Sequence, residues 1–386
     1  MANPFTPTMG ATPRAFVGRD AFLADIGMAL DQGPGSLEFV TLITGQRGTG
    51  KTAMLNAIQD LAAERSWYVI SETATSGFMK RLTAAAWQIY GEIGGTQSRR
   101  QVTGATIGPV SISSSVSDVY TPAVQLRELL TKITDLQSRD DSRLHQDSVG
   151  ILITLDELHH SNVDEVVEFA TTIQHMVREG RLVAVAMAAI PSAVEPLLAD
   201  AAGTNPITFL RRANRVILGK IEGADVRQGL VRPVESIGMT WSPHALETAV
   251  EATGGYPFMI QLVGYECVKR SHESIISFEV AQAAVEAAQQ RLGQLVHEPA
   301  LRDLSRLDQG FLIAMSEDDG PSEIGVIAQR LHVSPQQANT YKNRLLDAQM
   351  IEQVERGRYT ISLPYMREYL RKYGERFGPE VAEGSD

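Results

Sequence analysis

Short apolar runs recur along the first part of the chain, and stretches of helical spacing separate them. The runs are Glu38–Thr44, Trp67–Ser71, Val149–Leu155, Leu182–Ile190 and Arg215–Leu218. Polar or glycine-rich turns bound each run, as is typical of parallel strands that helices cover on both faces. Apolar residues have helical spacing at Thr52–Arg65 and Val163–Glu179. We therefore predict a three-layer α/β domain with a parallel sheet over residues 15–218. A Gly- and Ser-rich stretch at Thr103–Ser117 interrupts it, and we expect a hairpin or a flap there.

Helical spacing alone continues after residue 218. Four stretches carry it, namely Ala224–Ile237, Pro243–Ala252, Pro257–Ser271 and Phe278–Leu295. Ser242 precedes Pro243 as a capping serine precedes a first-turn proline, and Ser277 occupies a similar capping position. This pattern predicts a small bundle of helices over residues 219–297, the helical lid.

Residues 298–373, the C-terminal segment, follow a different order. Helical patterns at Leu304–Met315, Glu323–Leu331 and Gln336–Ala348 precede two short strand patterns. The strands, Met350–Val354 and Arg358–Ser362, flank a turn at Gly357. Helix, helix, turn, helix and hairpin is the order of a winged helix-turn-helix. We expect residues 1–14 to be a flexible N-terminus and residues 374–386 to be a disordered tail.

Composition narrows the class of protein. A chain of 386 residues is long enough for two or three domains. It contains no run near the ~20 apolar residues of a membrane helix, and its start lacks an export signal pattern. The net charge of −11 argues against a protein that coats nucleic acid. Cys267 is the single cysteine, which excludes an internal disulfide and fits a reducing compartment. We expect a cytoplasmic protein without a membrane partner.

The stretch GQRGTGKT directly follows the first predicted strand and precedes a helix. It has the spacing G-x-x-x-x-G-K-T of a phosphate-binding loop, with Gly45, Gly50, Lys51 and Thr52 at the fixed positions. Glycines let backbone N–H groups turn toward a phosphate, and the helix start adds its positive end. We expect Lys51 to reach the β- and γ-phosphates of ATP and to be catalytic, and Thr52 to bind Mg²⁺. The predicted cofactor-binding residues here are Gly45, Gln46, Arg47, Gly48, Thr49, Gly50, Lys51, Thr52 and Ala53.

A second acidic element ends the third predicted strand. The strand ILITL runs into Asp156 and Glu157. A carboxylate at the carboxyl end of such a strand can hold Mg²⁺, so Asp156 is the second predicted metal residue. Glu157 is then placed to orient or deprotonate a water, which makes it the candidate catalytic base.

Together these features resemble the STAND and archaeal-initiator-like AAA+ ATPases. The resemblance rests on FVGR at Phe16–Arg19, the phosphate loop, the LDE strand, and GGYP at Gly254–Pro257 ahead of a winged helix. It implies a P-loop core of the AAA+ type that binds and hydrolyses ATP. It also implies that Phe16, Val17, Gly18 and Arg19 lie beside the adenine and that Pro257 closes over the nucleotide from the helical lid.

Two positions depart from the family pattern. Alanines, Ala188 and Ala189, occupy the strand end where a polar sensor residue is common. The lid lacks the arginine of some AAA+ members and has GGYP instead. Arg211 and Arg212 precede the fifth predicted strand and are candidate arginine fingers for a neighbouring copy, which would require a homo-oligomer. A solvated face or an ion pair within the domain explains them equally.

The third helix of the C-terminal segment carries side chains suited to reading a DNA groove. The candidate DNA contacts are Gln336, Gln337, Thr340, Asn343 and Arg344 on the helix, with Arg356 and Arg358 on the wing. Acidic and basic residues balance between positions 301 and 372, whereas dedicated DNA-binding domains are usually basic. A protein partner therefore stays open beside duplex DNA.

Two functions fit the sequence. In the first, ATP binding and hydrolysis drive a molecular switch that couples nucleotide state to DNA binding or assembly through the winged helix. In the second, the chain is an adaptor that holds ATP or ADP with slow or no hydrolysis, and its winged helix binds a protein.

Overall fold

The computed structural model describes residues 2–8, 10, 12–13, 16–95, 111–113, 125–144, 149–158, 163–191, 193–194 and 210–377. The chain divides into two compact bodies. The sheet body consists of Gly10–Thr12 and Gly18–Gly219, and the helical body of Met1–Met9, Pro13–Val17 and Lys220–Asp386.

A parallel sheet organises the sheet body. Its strands are β1 (Val40–Gly45), β2 (Tyr68–Thr73), β3 (Ser111–Ser113), β4 (Ile151–Asp156), β5 (Val183–Ala189) and β6 (Asn214–Leu218). They lie in the order β3-β2-β4-β5-β1-β6, and every neighbouring pair is parallel. All seven residues of β5 are buried, since β5 lies inside the sheet between β4 and β1. The carboxyl ends of β1 and β4 thus lie at one edge, with one strand between them.

Helices accompany the strands of this body. They are α1 (Asp20–Gln32), α2 (Lys51–Glu64), α3 (Phe78–Gly95), α4 (Leu126–Leu144) and α5 (Val163–Arg178). Helix α2 buries Met54, Leu55, Ile58 and Ala62, the apolar side chains at helical spacing on one face. The predicted three-layer α/β class and its five strands are confirmed. The sixth strand, β3, was not predicted and falls within Thr103–Ser117; the rest of that stretch lies outside the described residues.

The helical lid contains the four predicted helices. They are α6 (Gly223–Glu235), α7 (Pro243–Thr253), α8 (Pro257–Arg270) and α9 (Phe278–Leu292). Prolines begin α7 and α8, and the side chain of Ser277 accepts a hydrogen bond from the Val280 amide at the start of α9. A two-stranded parallel sheet of β7 (Thr240–Trp241) and β8 (Ile275–Ile276) accompanies them.

The C-terminal segment follows α9 through a π-helical turn at Gly293–His297. Its elements are α10 (Glu298–Arg302), α11 (Arg306–Ser316), β9 (Ser322–Glu323), α12 (Ile324–Arg330), α13 (Pro335–Asp347), β10 (Ile351–Glu355), β11 (Arg358–Ile361) and α14 (Met366–Tyr373). Strands β10, β11 and β9 form an antiparallel sheet in that order. The three helices followed by a hairpin appear in the predicted order.

One hydrophobic core extends through the helical lid and the C-terminal segment. Cys267 and Leu292 of the lid belong to the same buried cluster as Phe311, Leu345 and Met366. These two parts of the chain are therefore packed together within the helical body.

The start of the chain differs from the flexible N-terminus that we expected. Phe5 is 2% exposed and packs on Gly264 so closely that a Cβ added there would overlap the Phe5 ring. The Asn3 side-chain amide donates to the Tyr265 carbonyl, and the Thr6 backbone amide donates to the Gln261 side chain. One buried aromatic ring and these two hydrogen bonds explain why the segment packs on α8. Of the tail predicted to be disordered, residues 378–386 lie outside the described part.

Candidate functional site

The glycine-rich stretch between β1 and α2 forms a tight loop. Gly48 and Gly50 have φ of 75° and 90°, in the region that glycine adopts without a steric penalty. Gly50 is the N-cap of α2, and the first helical bond runs from the Met54 amide to the Gly50 carbonyl. The amides at the start of α2 therefore have no acceptor within the helix and are available to an anion.

Gly45 sits at the end of β1 where no side chain fits. An added Cβ would lie 2.6 Å from the Thr49 Oγ1 and 2.8 Å from the Leu218 carbonyl oxygen. The Thr49 hydroxyl in turn donates to the Gln46 carbonyl at 2.8 Å. Gly45 is thus packed between the Thr49 side chain, which belongs to the same loop, and Leu218 at the end of β6.

The Lys51 ammonium folds back over the loop. Its Nζ donates to the carbonyls of Gly45 at 2.8 Å and Gln46 at 2.9 Å. Burial lowers the pKa of Lys51 to about 8, while the carboxylate of Asp156 acts in the opposite direction. The charges of Arg47 and Glu157 also act on this pKa, so the loop and the end of β4 share one electrostatic environment.

Thr52 and Asp156 meet across the space between α2 and β4. The Thr52 hydroxyl donates to the Asp156 Oδ2 at 2.6 Å. A hydroxyl and a carboxylate oxygen side by side are ligands that fit a hard divalent cation such as Mg²⁺. The two residues predicted for the metal are therefore in direct contact, although 104 positions separate them in sequence.

Glu157 follows β4 in a left-handed turn. Its φ is 55°, and its amide donates to the Asp156 Oδ1 at 2.8 Å. The next residue, Leu158, turns back into the core, and its amide donates to the Ala188 carbonyl at 3.0 Å. This turn leaves the Glu157 side chain exposed beside Asp156, with access to water.

A polar cavity of about 310 Å³ lies beside Thr52 and Asp156. It is lined by Thr52, Leu55, Asn56, Gln59, Ser71, Glu72, Thr73 and Asp156. Within it, the Gln59 side-chain amide donates to the Ser71 and Thr154 hydroxyls at 3.0 and 2.8 Å. Sequence reasoning missed this network; the polar Thr154 inside an otherwise apolar strand was its one visible signal.

Contacts also fix the loop between β2 and α3 at this edge. The Glu165 carboxylate, in the first turn of α5, accepts the Gly77 and Met79 amides at 2.7 and 3.0 Å. Arg81 pairs with Glu72 at 2.8 Å and donates to the Thr73 carbonyl at 2.8 Å. Hydrogen bonds and an ion pair therefore hold the end of β2, which lines one side of the cavity, and the loop that follows it.

The FVGR residues have separate places in the two bodies. In the helical body, Val17 is buried against Gly229, where an added Cβ would lie 2.9 Å from a Val17 methyl group. In the sheet body, the Arg19 guanidinium donates to the Gly219 carbonyl at 2.7 Å. Phe16 is half-buried, and Gly18 has φ of 71°. Val17 and Arg19 thus have structural contacts that the predicted adenine role did not include.

Pro257 begins α8 after two glycines of positive φ, Gly254 and Gly255. Arg211 is partly buried and Arg212 is exposed just before β6. The roles predicted for these three residues, closing over a nucleotide and acting on a neighbouring copy, stay predictions.

The candidate DNA-reading helix, α13, has part of its polar face engaged. Gln337 closes a capping box with Ser334, and the Thr340 hydroxyl donates to the Gln336 carbonyl. Arg344 donates to the buried Asp308 of α11 at 2.7 Å and stacks over Tyr341. Gln336 and Asn343 stay exposed.

The wing carries compensated charge. Arg358 lies 3.8 Å from Glu355 and 4.0 Å from Glu323. Arg356 is exposed at the turn, with no ion pair among the described residues. The structure therefore brings the predicted DNA contacts onto one segment, in which Arg344 is paired with Asp308 and Arg358 has two glutamates nearby.

Two separate stretches of the chain match known protein families. Residues 15–187 match the family described as AAA ATPase domain, and residues 294–370 match a domain of unknown function, DUF8462. No curated protein matches the chain. No helix within the described ranges has the length and apolar character needed to span a membrane.

Solved structures are similar over most of the chain. The Walker-type ATPase PABY2304 of Pyrococcus abyssi has a TM-score of 0.64 at 17% identity, covering 93% of this chain and 97% of that one. The RuvB Holliday junction branch migration motor of Thermotoga maritima has a TM-score of 0.44 at 14% identity, with 92% and 95% covered. The first likeness shows a shared fold, and the second is too distant to support an argument. Residues 15–187 are thus similar in sequence to the AAA ATPase domain family, and the described residues among them have the parallel sheet and phosphate loop of the P-loop NTPase fold.

Proposed function

We propose that the protein is an AAA+ switch that hydrolyses ATP to ADP and phosphate and uses the change to control its C-terminal segment. The observation that carries the proposal is the contact between Thr52 and Asp156, together with Lys51, whose pKa responds to the charges of both Asp156 and Glu157. A lysine, a hydroxyl and two carboxylates are the groups that nucleotide hydrolysis on a phosphate loop uses, and this supports the proposal.

The chain's own residues divide the work. The amides of the phosphate loop and the Lys51 ammonium would bind the phosphates, and Thr52 with Asp156 would hold Mg²⁺. Magnesium, when bound, neutralises charge on the β- and γ-phosphates. Glu157 accepts a proton from the attacking water, whose oxygen bonds to the γ-phosphorus. The bond from that phosphorus to the bridging oxygen breaks, and its electron pair leaves with ADP.

The C-terminal segment is the output in this proposal. We assign it as a winged helix that acts on duplex DNA or on assembly, with Gln336, Asn343 and Arg356 as its exposed candidate contacts. The GGYP loop is the nucleotide-facing part of the lid, as the resemblance to STAND and archaeal-initiator ATPases implies. The single cysteine is consistent with action in the cytoplasm.

A second candidate is an adaptor that holds nucleotide and binds a protein through the same segment. The ion pairs of Arg344 with Asp308 and of Arg358 with two glutamates favour it, because they leave little net positive charge for phosphates. The alanines at the end of β5, which provide no polar sensor, favour slow hydrolysis as well.

The rate of steady-state ATP hydrolysis distinguishes the switch from the adaptor. It should be measured with and without duplex DNA, with Lys51→Ala as the blank. Turnover that rises with DNA supports the switch. Glu157→Gln should reduce turnover by about 100-fold or more while nucleotide stays bound. Glu64→Gln, an exposed carboxylate on α2, is the matched control. Unchanged turnover in Glu157→Gln would refute the hydrolytic mechanism.

Self-association has its own test. If Arg211 or Arg212 acts on a neighbouring copy, alanine variants should depress turnover when mixed in increasing amounts with intact protein. A strictly proportional dilution of activity would assign both arginines to their own chain.

A further inference from the structure

The helical lid and the C-terminal segment are joined by contacts at the start of α14. Pro364 and Tyr365 lie just before this helix, in the turn that follows β11. His297, in the π-helical turn after α9, donates from Nε2 to the Pro364 carbonyl at 2.8 Å. Gly293 approaches the Tyr369 ring so closely that an added Cβ would lie 2.5 Å from a ring carbon. The junction is therefore tightly packed on the side of α9.

Tyr365 makes the contact that reaches furthest into the lid. Its hydroxyl donates a hydrogen bond to the Ala252 carbonyl in the last turn of α7. The residue has φ of 59°, a left-handed conformation that is unfavourable for a side chain of this size. Such a conformation persists only where surrounding contacts hold it.

A single residue, Thr253, separates Ala252 from the loop Gly254–Pro257, which carries the GGYP motif. The Thr253 carbonyl accepts the Tyr256 amide at 2.9 Å, and the Thr253 hydroxyl accepts the Gly255 amide at 3.2 Å. The Gly255 carbonyl accepts the Ile221 amide at 2.8 Å, and a Cβ added at Gly255 would overlap the Ile221 carbonyl. The loop therefore has little freedom to move without moving Ala252.

These contacts form one path from the loop to the C-terminal segment. We propose that Tyr365 is a positioning residue that couples the Gly254–Pro257 loop to the C-terminal segment, so that the two move as one body. The inference rests on the proposed function in that it takes movement of this loop to be driven by nucleotide. The Tyr365 ring packs on the core that both parts share, and its hydroxyl adds the hydrogen bond to α7 that we assign to the coupling.

Amide hydrogen exchange of the full-length protein tests this coupling without nucleotide. The variant is Tyr365→Phe, which keeps the ring and removes the hydroxyl. The matched control is Tyr373→Phe in the same helix; the Tyr373 ring stacks on Tyr369, and its hydroxyl has no hydrogen bond among the described residues. We expect exchange to rise about fivefold in both 250–257 and 364–370 in Tyr365→Phe, as the loss of the partly buried hydrogen bonds of the Tyr365 hydroxyl, to Ala252 and to the Gln289 side chain, predicts. An increase in one segment alone, or in neither, overturns the inference.

The second arm adds Mg²⁺ and a non-hydrolysable ATP analogue. In the intact protein, exchange should change in 250–257 and in α11–α14 together; in Tyr365→Phe, the change should remain in 250–257 and fall at least about threefold in α11–α14. An equal response of α11–α14 in both proteins overturns the coupling. If the first arm succeeds and the analogue changes neither region of the intact protein, the nucleotide switch fails and the coupling through Tyr365 stands.

Discussion

The Thr52 hydroxyl donates a hydrogen bond of 2.6 Å to the Asp156 carboxylate, which joins the start of α2 to the end of β4. The contact forms because β1 and β4 end at the same edge of the parallel sheet, with β5 between them. It places the two oxygen ligands expected for Mg²⁺ within reach of one ion, next to the buried ammonium of Lys51.

Removing the Thr52 hydroxyl should weaken metal-dependent nucleotide binding. In Thr52→Ala we expect the Mg²⁺ concentration for half-maximal binding of a fluorescent ATP analogue to rise about tenfold, since one oxygen ligand is lost. Thr52→Ser keeps the hydroxyl and should stay near the intact protein. Equal Mg²⁺ dependence in all three proteins would place the metal elsewhere.

The lowered pKa of Lys51 predicts a pH dependence of phosphate binding. Because its pKa is about 8 in the folded protein, the ammonium loses its proton as pH rises through this value. Affinity for inorganic pyrophosphate, measured by calorimetry, should fall between about pH 7 and pH 9.5. Lys51→Arg stays charged over this range, so its profile should follow the ionisation of pyrophosphate alone and should lack the decline that the loss of the Lys51 proton causes. A parallel decline in both proteins would assign the titration to another group.

The same shift predicts an effect of opposite sign on stability. A lysine whose pKa falls on folding favours the native state only once it is neutral, so its burial is unfavourable below about pH 8. The free energy of unfolding without ligand should therefore rise relative to Lys51→Met as pH goes from about 8 toward 10.5, the ordinary pKa of a lysine side chain. The two proteins should be compared by urea unfolding across that range, and a constant difference between them would contradict the shift.

The close packing around Gly45 predicts that alanine is not tolerated there. The added methyl group would overlap the Leu218 carbonyl, a backbone atom that cannot rotate away. Gly45→Ala should lower the free energy of unfolding by about 1–3 kcal/mol, as overpacking does. Gly91→Ala in α3, where a Cβ meets no atom within 4 Å, should instead stabilise the protein by about 0.5–1 kcal/mol. Similar values for both would mean that the end of β1 can widen.

The ion pair of Arg344 with buried Asp308 predicts a structural cost for changing this arginine. Arg344→Met leaves the Asp308 carboxylate with one hydroxyl donor, Ser305. We expect a loss of about 1–2 kcal/mol in the free energy of unfolding, a value reduced because Arg344 is half-exposed to water. Arg356→Met, at the exposed turn, should change stability by less than about 0.5 kcal/mol.

Arg356 is the residue at which DNA affinity should be tested, because its substitution should leave the stability of the protein nearly unchanged. Arg356→Glu should weaken duplex binding by about tenfold without unfolding the segment, if the wing contacts phosphate. Fluorescence anisotropy at two salt concentrations measures this. An unchanged affinity in Arg356→Glu would move the DNA surface away from the wing, and no affinity in the intact protein would favour a protein partner.

The phosphate loop and the acidic strand end could be predicted because their chemistry is encoded by short, fixed spacings. Gly45, Lys51 and Thr52 lie within one short stretch, and the run of buried residues in β4 places Asp156 at a strand end. Three of the four lid helices have a start that the sequence marks, namely a first-turn proline in α7 and α8 and the Ser277 cap in α9. The predicted Ser242 cap makes no side-chain hydrogen bond to α7.

Other features depend on contacts between distant positions, which no local pattern contains. Strand β3 has three residues, Ser-Ile-Ser, too few for a visible apolar run. The ion pair of Arg344 with Asp308 joins α13 to α11, and 36 positions separate the two residues in sequence. We predicted that Arg344 reads bases, whereas in the structure its side chain binds a buried carboxylate. The burial of Phe5 could not be predicted from the sequence either, because it depends on the absence of a side chain at the distant Gly264.

Cys267 lies fully buried in α8, and burial raises the pKa of its thiol to about 12. A thiol reagent at neutral pH can therefore label it only when the helical body opens. The modification rate measured under native conditions therefore reports the opening of this body alone, and it is obtained without any substitution. A surface cysteine introduced on any helix would react orders of magnitude sooner, so spectroscopic probes can be attached at chosen positions while the native thiol stays in place.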